Sequence, residues 1–581
     1  MISNNYFLVT TAIKKTWKSN DPILFLGEWC KKESTASDLG TLSYKIVKYI
    51  WDDRSLFYNH YLQIDKEYEI LLEMVSFKLN SLHNTTHTNR YWRIVIGPWL
   101  LFFMQMIYER LAQLNTAIHN FSITGTIILK QSDYDFVPSN SIEFSNDVLT
   151  DEWNHFIYSF LIKKTTNIKY FEVDWFKKTN SLIPKNALLN KLSEFYKSFF
   201  FKNCKILING LGLSFYDKLR LWYNYGSLPF NPPGEYFSTS KVNYEIRNKL
   251  VFNKENINQY QQIVLDLVPK LMPKCYLEDF TDIKSSINYG FPQRNLNVII
   301  TSNIYYHDKF KIWIAEMTSK NVKLVLAQHG GGYGIAKFAT NEIHEIKIAD
   351  YFLTWGWSIK SNRNVIPSYM FKSNPFLSFK NFLFQKNKSA LLLMAGIQRY
   401  SYKLTSEPLS SQWIYYLKDQ FDFISKFRNK VSYDLIIKNY STDYGWGLKK
   451  QLNESYPGIK IIENFSLFSS NKYKIIVSTY NGTSLLETLS CNFPTIIFWD
   501  PNYLELRDEA IPFFNLLKES KIFHESAESA VDHLSTIWEN IEIWWESNKV
   551  QIARKKFIEN YAKHDNNLPS KLHNILNKIN P

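Results

Sequence analysis

Short, uninterrupted apolar runs punctuate this chain, and between them lie longer stretches whose apolar positions return every three or four residues. In the first part the runs fall at residues 6–9, 23–26, 127–129, 205–208, 298–301, 323–327 and 351–354. Runs of that length predict strands covered on both faces, as in a parallel sheet. The stretches between them, for example 65–82 and 189–200, predict amphipathic helices. A second, more regular series places strands at 390–395, 434–438, 460–462, 475–477 and 495–498. Strands alternating with helices in this way predict a compact doubly wound domain. From about residue 503 the pattern is helical, most strongly amphipathic at 537–545 and 550–561. Residues 361–388, rich in Asn, Ser, Lys and Phe and carrying Pro367 and Pro375, predict a linker. The expected fold is α/β, with two doubly wound, Rossmann-like domains facing a cleft: 1–360 with helical insertions, and 389–581 with a helical tail.

A chain of 581 residues exceeds what one core usually serves, in agreement with two domains. Tyr (37) and Phe (42) far outnumber Gly (19), which excludes collagenous and low-complexity classes. Lys and Arg (68) outnumber Asp and Glu (54), giving +14, yet the basic residues are dispersed among Asn and Ser. That distribution implies no nucleic-acid groove; attraction to an anionic membrane face or to phosphorylated substrates fits it equally. Cys30, Cys204, Cys275 and Cys491 are far apart and form no CxxC, as expected of reduced thiols in a reducing compartment. The first fifteen residues hold no export-type apolar core, so a cytoplasmic location is expected. The most apolar run, 94–107, is too short to span a bilayer and is broken at Gly97-Pro98. It predicts a buried helix, with contact at a membrane surface as the alternative.

Three segments carry candidate chemistry. Residues 474–500 read as a buried strand, then a turn of Ser478, Thr479, Asn481, Gly482, Thr483 and Ser484, then a short helix and a second strand. Backbone N–H groups and hydroxyls converging at a helix N-terminus suit a phosphate. Glu487, three residues after Ser484, falls on the same helical face, where it would reach a ribose or sugar hydroxyl. The plainer reading is a capping box, with Thr483 or Ser484 as N-cap. At 324–334 a buried strand runs into Gln328-His329 and then Gly330, Gly331 and Gly332. His329 at a strand's carboxyl end is placed to act as general base on an acceptor hydroxyl, or else satisfies backbone groups in a tight turn. Near the N-terminus, Glu28-Trp29, Asp52-Asp53-Arg54 and Arg90 to Arg93 mix aromatic faces with charge, as sugar sites do. The alternative is an ion pair of Asp52 or Asp53 with Arg90 or Arg93. Glu28 and Asp53 are rival candidate bases. In the second domain Arg399 and Lys438 end strands and are candidate phosphate partners, or solvated loop cations. No Walker loop, HExxH or GxSxG is present, and Asp52-Asp53 lacks a third metal ligand, so neither cofactor nor metal is expected.

The sequence resembles a family of transferases encoded in bacterial O-antigen and surface-polysaccharide gene clusters. The resemblance runs through FLVTTA at 7–12, ILFLGEWC at 23–30, WDDR at 51–54, RYWRIVIGPWL at 90–100, QHGGGYG at 328–334 and STYNGTSLLETL at 478–489. The later motifs are also similar to those of GT-B enzymes that use cytidine-activated donors, such as nonulosonate, Kdo and glycerol-phosphate transferases. The chain departs from that pattern at Lys438-Asn439-Tyr440, where many such enzymes carry His-Pro.

The resemblance implies a GT-B-like, metal-independent glycosyltransferase without a bound cofactor. Its donor would be a nucleotide sugar, a CMP-linked nonulosonate or Kdo-type sugar being favoured. Its acceptor would be a glycan or lipid-linked glycan, reached from the cytoplasmic side with peripheral contact at the inner membrane. His329 would be the base, with Glu28 and Asp53 behind it. Arg399, Lys438, Ser478, Thr479, Asn481, Gly482, Thr483, Ser484 and Glu487 would hold the donor. Trp29, Asp52, Arg54, Arg90, Arg93, Gln328, Gly330 and Gly331 would meet the acceptor or sugar. Two alternatives fit the same sequence: a polyol-phosphate transferase using a CDP-activated donor, and a non-catalytic assembly protein.

Overall fold

The apolar runs become parallel strands. The computed structural model describes the chain apart from residues 1–4, 18–20, 33–38, 41, 176–204, 226–235, 237, 239, 288–290, 293–294, 303, 372–388, 432, 465–471 and 580–581. The first sheet contains β1 (Tyr6–Val9), β2 (Ile23–Phe25), β3 (Tyr44–Ile46), β4 (Ile123–Lys130) and β5 (Tyr170–Asp174), ordered β3-β2-β1-β4-β5. The second contains β6 (Ile206–Ile208), β7 (Val298–Thr301), β8 (Lys323–Ala327), β9 (Tyr351–Thr354) and β10 (Val365–Pro367), ordered β10-β9-β8-β7-β6. The third contains β11 (Ala390–Leu393), β12 (Leu435–Lys438), β13 (Lys460–Ile462), β14 (Ile475–Ser478), β15 (Thr495–Phe498) and β16 (Phe523–His524), ordered β13-β12-β11-β14-β15-β16.

The α/β class and the parallel sheets are those the sequence predicts, but the strands up to residue 367 divide between two sheets. The region expected to be a linker begins with β10, which pairs with β9 in the register Val365↔Phe352. Residues 372–388 of that region, the helix expected at 189–200 and Cys204 lie outside the described residues. Among the described residues Cys30, Cys275 and Cys491 are buried and form no disulfide.

One hydrophobic core ties the three sheets together. It joins Phe7 and Leu24 of the first sheet to Ile299, Leu324 and Phe352 of the second and to Leu485, Ile497 and Trp499 beside the third. Between them runs the helix Gly97–Asn120, started by Pro98 at its first turn and buried over most of its length. It meets the helix Asn89–Val95 at a bend of 72°; among the described residues no single helix is long and apolar enough to cross a membrane. The apolar run at 94–107 is thus a buried element, as expected. The last helix, Leu568–Ile579, buries Leu568, Leu572 and Leu576 against the second sheet, while Ala527–Ile537 earlier in the tail packs on the third.

Strand order decides where ligands can sit. In open α/β sheets the crevice lies at the carboxyl ends of the strands, where the order reverses. In the first sheet that point lies between β1 and β4, and the protein fills it. Asp151 accepts the Ala12 N–H at 3.2 Å, the Tyr400 hydroxyl at 2.6 Å and two bonds from Arg399 at 3.1 and 2.6 Å. Beside it, buried His155 accepts the Leu129 N–H at 3.1 Å. The first sheet's crevice is therefore a docking seat for the third sheet's unit. In the third sheet the order reverses between β11 and β14, in the register Leu393↔Ser478, and there the crevice is open.

Candidate active-site cleft

The carboxyl ends of β8, β11 and β14 converge on a cleft of about 460 Å³. From β8 come His329, Gly330, Gly331, Gly332 and Tyr333; from β11, Ala395 and Gly396; from β14, Tyr480, Asn481, Gly482, Thr483 and Ser484.

The glycine loop after β8 is held by Gln328. Its Oε1 accepts from Trp355 N–H (2.9 Å) and Trp357 Nε1 (2.8 Å), and its Nε2 donates to the Gly330 carbonyl (2.8 Å). Gln328 thus braces the loop and, although expected at the acceptor side, is not among the residues that line the cleft. Gly334 has φ +72° and faces the Trp357 ring, and its N–H donates to the buried Glu342 at 2.7 Å. Glu342 also receives Arg507 at 2.7 Å, which fixes the far end of the loop.

His329 is partly exposed at 23 %. Its Nε2 lies 2.9 Å from Oε1 of Glu345 and 3.0 Å from the Tyr333 hydroxyl. Glu345 is buried on the helix Thr340–Ile348, and its Oε2 has no hydrogen-bond partner. With Nε2–H donating to the carboxylate, the basic nitrogen is Nδ1, which makes no hydrogen bond among the described residues. Burial, and after it the charge on Glu345, push the Tyr333 phenol well up, so it stays protonated.

On the opposite wall the helix Thr483–Ser490 starts at Gly482, whose backbone is extended and which offers no side-chain cap. Neither Thr483 nor Ser484 is the N-cap, so the capping-box reading is not realised. Leu485 N–H bonds back to the Gly482 carbonyl at 3.2 Å, while the N–H groups of Thr483 and Ser484 have no partner among the described residues. Asn481 is 6 % exposed and its Oδ1 also lacks a partner. The two walls touch: a Cβ placed on Gly331 would lie 2.3 Å from the Gly482 carbonyl carbon.

Other candidates fall elsewhere. Ser478 Oγ donates to the Tyr480 carbonyl (3.2 Å), and Thr479 Oγ1 donates to the Leu393 carbonyl (2.9 Å) and meets Tyr416 OH (2.7 Å), so both brace the turn from beneath. Glu487 is buried and does not line the cleft. Lys438 also lies outside the lining, its ammonium 5.4 Å from the Tyr440 ring centroid, and burial lowers its pKa. Arg399 is spent on Asp151 and on the Trp29 carbonyl at 2.7 Å.

The Trp-rich cluster does not line the cleft. Asp53 is the N-cap of the helix Arg54–His83, accepting the Leu56 N–H at 3.0 Å. Glu28 pairs with Lys31, and neither carboxylate reaches the cleft. Trp29 is fully buried and donates to the Thr10 carbonyl at 2.9 Å. Asp52 accepts from Gln412 and Tyr415, each at 3.3 Å, and burial raises its pKa. The anticipated pairing of Asp52 or Asp53 with Arg90 or Arg93 is replaced by Arg90–Asp350 (2.9 Å), Arg93–Glu69 and Arg54–Glu505 (2.7 Å).

Sequence reasoning missed three groups: Glu345, Lys403 and Glu407. Glu345 follows His329 by sixteen residues on the next helix, and no local spacing links them. Lys403 and Glu407 line the cleft from the loop after β11. Burial lowers the Lys403 pKa against the charges of Glu407 and Glu345; burial raises Glu407 against the charge of Lys403. Among the described residues no three His, Cys, Asp or Glu side chains gather to hold a metal ion.

A family model described as LIC12162 family transferase matches residues 6–576. No curated protein matches the sequence. Among solved structures, similarity is found to S. aureus MnaA with UDP, at 9% identity over 65% of this chain and 96% of that one, TM-score 0.34. Acinetobacter baumannii MurG matches at 10% identity, 64% and 99% coverage and TM-score 0.33. Medicago truncatula UGT71G1 with UDP-glucose matches at 12% identity, 66% and 99% coverage and TM-score 0.34.

Proposed function

This chain belongs to the LIC12162 family of transferases, and on that premise we propose that it is a GT-B-type glycosyltransferase that uses a nucleotide-activated sugar. The observation that carries the reading is the contact of Gly331 with Gly482, which sets a His–Glu pair across from an uncapped helix N-terminus in one cleft. A helix N-terminus favours an anion through its free N–H groups and its dipole. The donor phosphate sits there, on the N–H groups and hydroxyls of Thr483 and Ser484, with Asn481 Oδ1 accepting a donor hydroxyl.

His329 Nδ1 takes the proton from the acceptor hydroxyl as that oxygen bonds to the sugar's anomeric carbon. The bond from that carbon to the phosphate oxygen breaks, and its electron pair leaves on the phosphate. Glu345 holds the ring in the tautomer that leaves Nδ1 basic and stabilises the imidazolium as it forms. No step in this chemistry calls for a metal.

Within this reading the donor is a CMP-linked sugar of nonulosonate or Kdo type, supported by the likeness of the two facing motifs to those of cytidine-using transferases. The acceptor is a surface glycan or its lipid-linked precursor, met in the cytoplasm at the inner membrane face. Thermal-shift measurements with CMP, CDP, UDP and GDP test the reading. A ligand at a hundredfold excess over its Kd adds about 2.7 kcal/mol, a readily seen shift. Replacing Thr483 and Ser484 together by Ala should weaken that binding about tenfold or more. A folded protein that none of the four nucleotides stabilises would refute the proposal.

A further inference from the structure

A phosphate at the Thr483–Ser484 N-terminus needs more positive charge than a helix dipole, worth roughly half an elementary charge, can give. The expected cations do not supply it. Arg399 is bound to Asp151, and Lys438 lies outside the lining. Among the described residues Lys403 is the one Lys or Arg that lines the cleft, and it makes no hydrogen bond or ion pair. Its position is fixed by neighbours rather than by its own charge. Leu404 N–H donates to Gln105 Oε1 at 2.9 Å, Thr340 N–H donates to the Leu404 carbonyl at 3.1 Å, and Ser406 N–H donates to the Phe338 carbonyl at 3.0 Å. The loop thus leaves the third sheet's unit but is pinned to the second's, and Lys403 lines the same cleft as His329, Thr483 and Ser484. Glu407, four residues on, lines the same cleft, forms no ion pair and attracts Lys403 through space.

We infer that Lys403 is the cation of the donor site: it binds the phosphate that leaves with the nucleotide, and Glu407 is the counter-charge that a bound phosphate displaces. The inference rests on the proposed nucleotide-sugar reading. The ligand it specifies is a phosphate carried by a nucleoside, and a nucleoside without phosphate gains nothing from Lys403. Isothermal titration of the full chain with CMP, CDP and UDP, and with cytidine and uridine as phosphate-free controls, separates the cases. In K403Q the nucleotide affinity should fall by about tenfold or more, as for the loss of a bond to a charged group, while nucleoside binding is unchanged. K403R should recover part of the loss, and E407Q should tighten nucleotide binding, since a competing carboxylate is gone. Retained secondary structure and melting temperature establish that each variant is folded. If wild type binds nucleotides and K403Q binds them equally well, Lys403 has no such role and the cleft reading stands. If wild type shows no phosphate-dependent binding, the donor reading fails, and the role of Lys403 falls with it.

Discussion

Gly331 and Gly482, on loops that end strands of different sheets, meet backbone to backbone with no room for a methyl group between them. The contact sets the distance between the His329 side of the cleft and the helix N-terminus at Thr483. Gly331→Ala should force the walls apart, and a misplacement near 1 Å can cost about 10²-fold in rate. We expect kcat to fall by about that factor in a folded protein. A G331A variant with wild-type turnover would show that the contact has no bearing on catalysis.

His329→Ala should lower kcat by about 10²–10⁴ without loss of donor binding, because the proposed nucleotide seat is on the other wall. Glu345→Gln should lower kcat less, since it leaves the ring in place but removes the charge that supports the imidazolium. Near-normal turnover in H329A would remove the base assignment.

Arg399 separates a structural from a ligand role. Its side chain is 3% exposed and its partner Asp151 7%, so Arg399→Ala strands a buried carboxylate. Breaking such a pair costs about 3–5 kcal/mol. Chemical denaturation should register that loss. A stable R399A with weakened nucleotide binding would instead return Arg399 to the donor site.

His344 gives stability a defined pH dependence. It is buried with neither ring nitrogen bonded, and burial pushes its pKa down to about 3. The unfolded chain binds this proton near pH 6.5, so it holds more protons than the native state between those values. Stability from His344 is complete above pH 6.5 and is lost as pH falls, by about 1.4 kcal/mol per unit. At pH 5 the loss is about 2 kcal/mol. His155, pushed down to about 3 by the same cause, acts in the same sense. Replacing His344 by Phe should flatten the decline measured by thermal unfolding between pH 7 and pH 5. Equal slopes for variant and wild type would contradict the assignment.

Turnover should be indifferent to EDTA, in keeping with the absence of a metal-ligand cluster among the described residues. Activity abolished by chelator and restored by Mg²⁺ or Mn²⁺ would require a different mechanism.

Local order in this chain made its interior strands legible. β1, β7, β8, β9 and β15 fall where apolar runs end to end predict them, because a strand covered on both faces needs no polar positions. The unrecognised strands, β3, β5, β10 and β16, all lie at sheet edges. Most of β3 and β5 is exposed, so their sequences carry no such run. The glycine loop after β8 and the hydroxyl turn after β14 were visible for the same local reason: chain reversals at strand ends demand particular residues.

Sequence alone determined the α/β class, most interior strands and the two turns that form the cleft, since each depends on neighbours along the chain. Tertiary structure decided the rest. It split the first strands into two sheets, filled one crevice with Asp151 and Arg399 and left the other open, brought Glu345 to His329, and set Lys403 in the lining of the same cleft. Whether a charged side chain is spent on a partner or left free for a ligand depends on what packs against it from distant segments, and spacing along the chain carries no record of that.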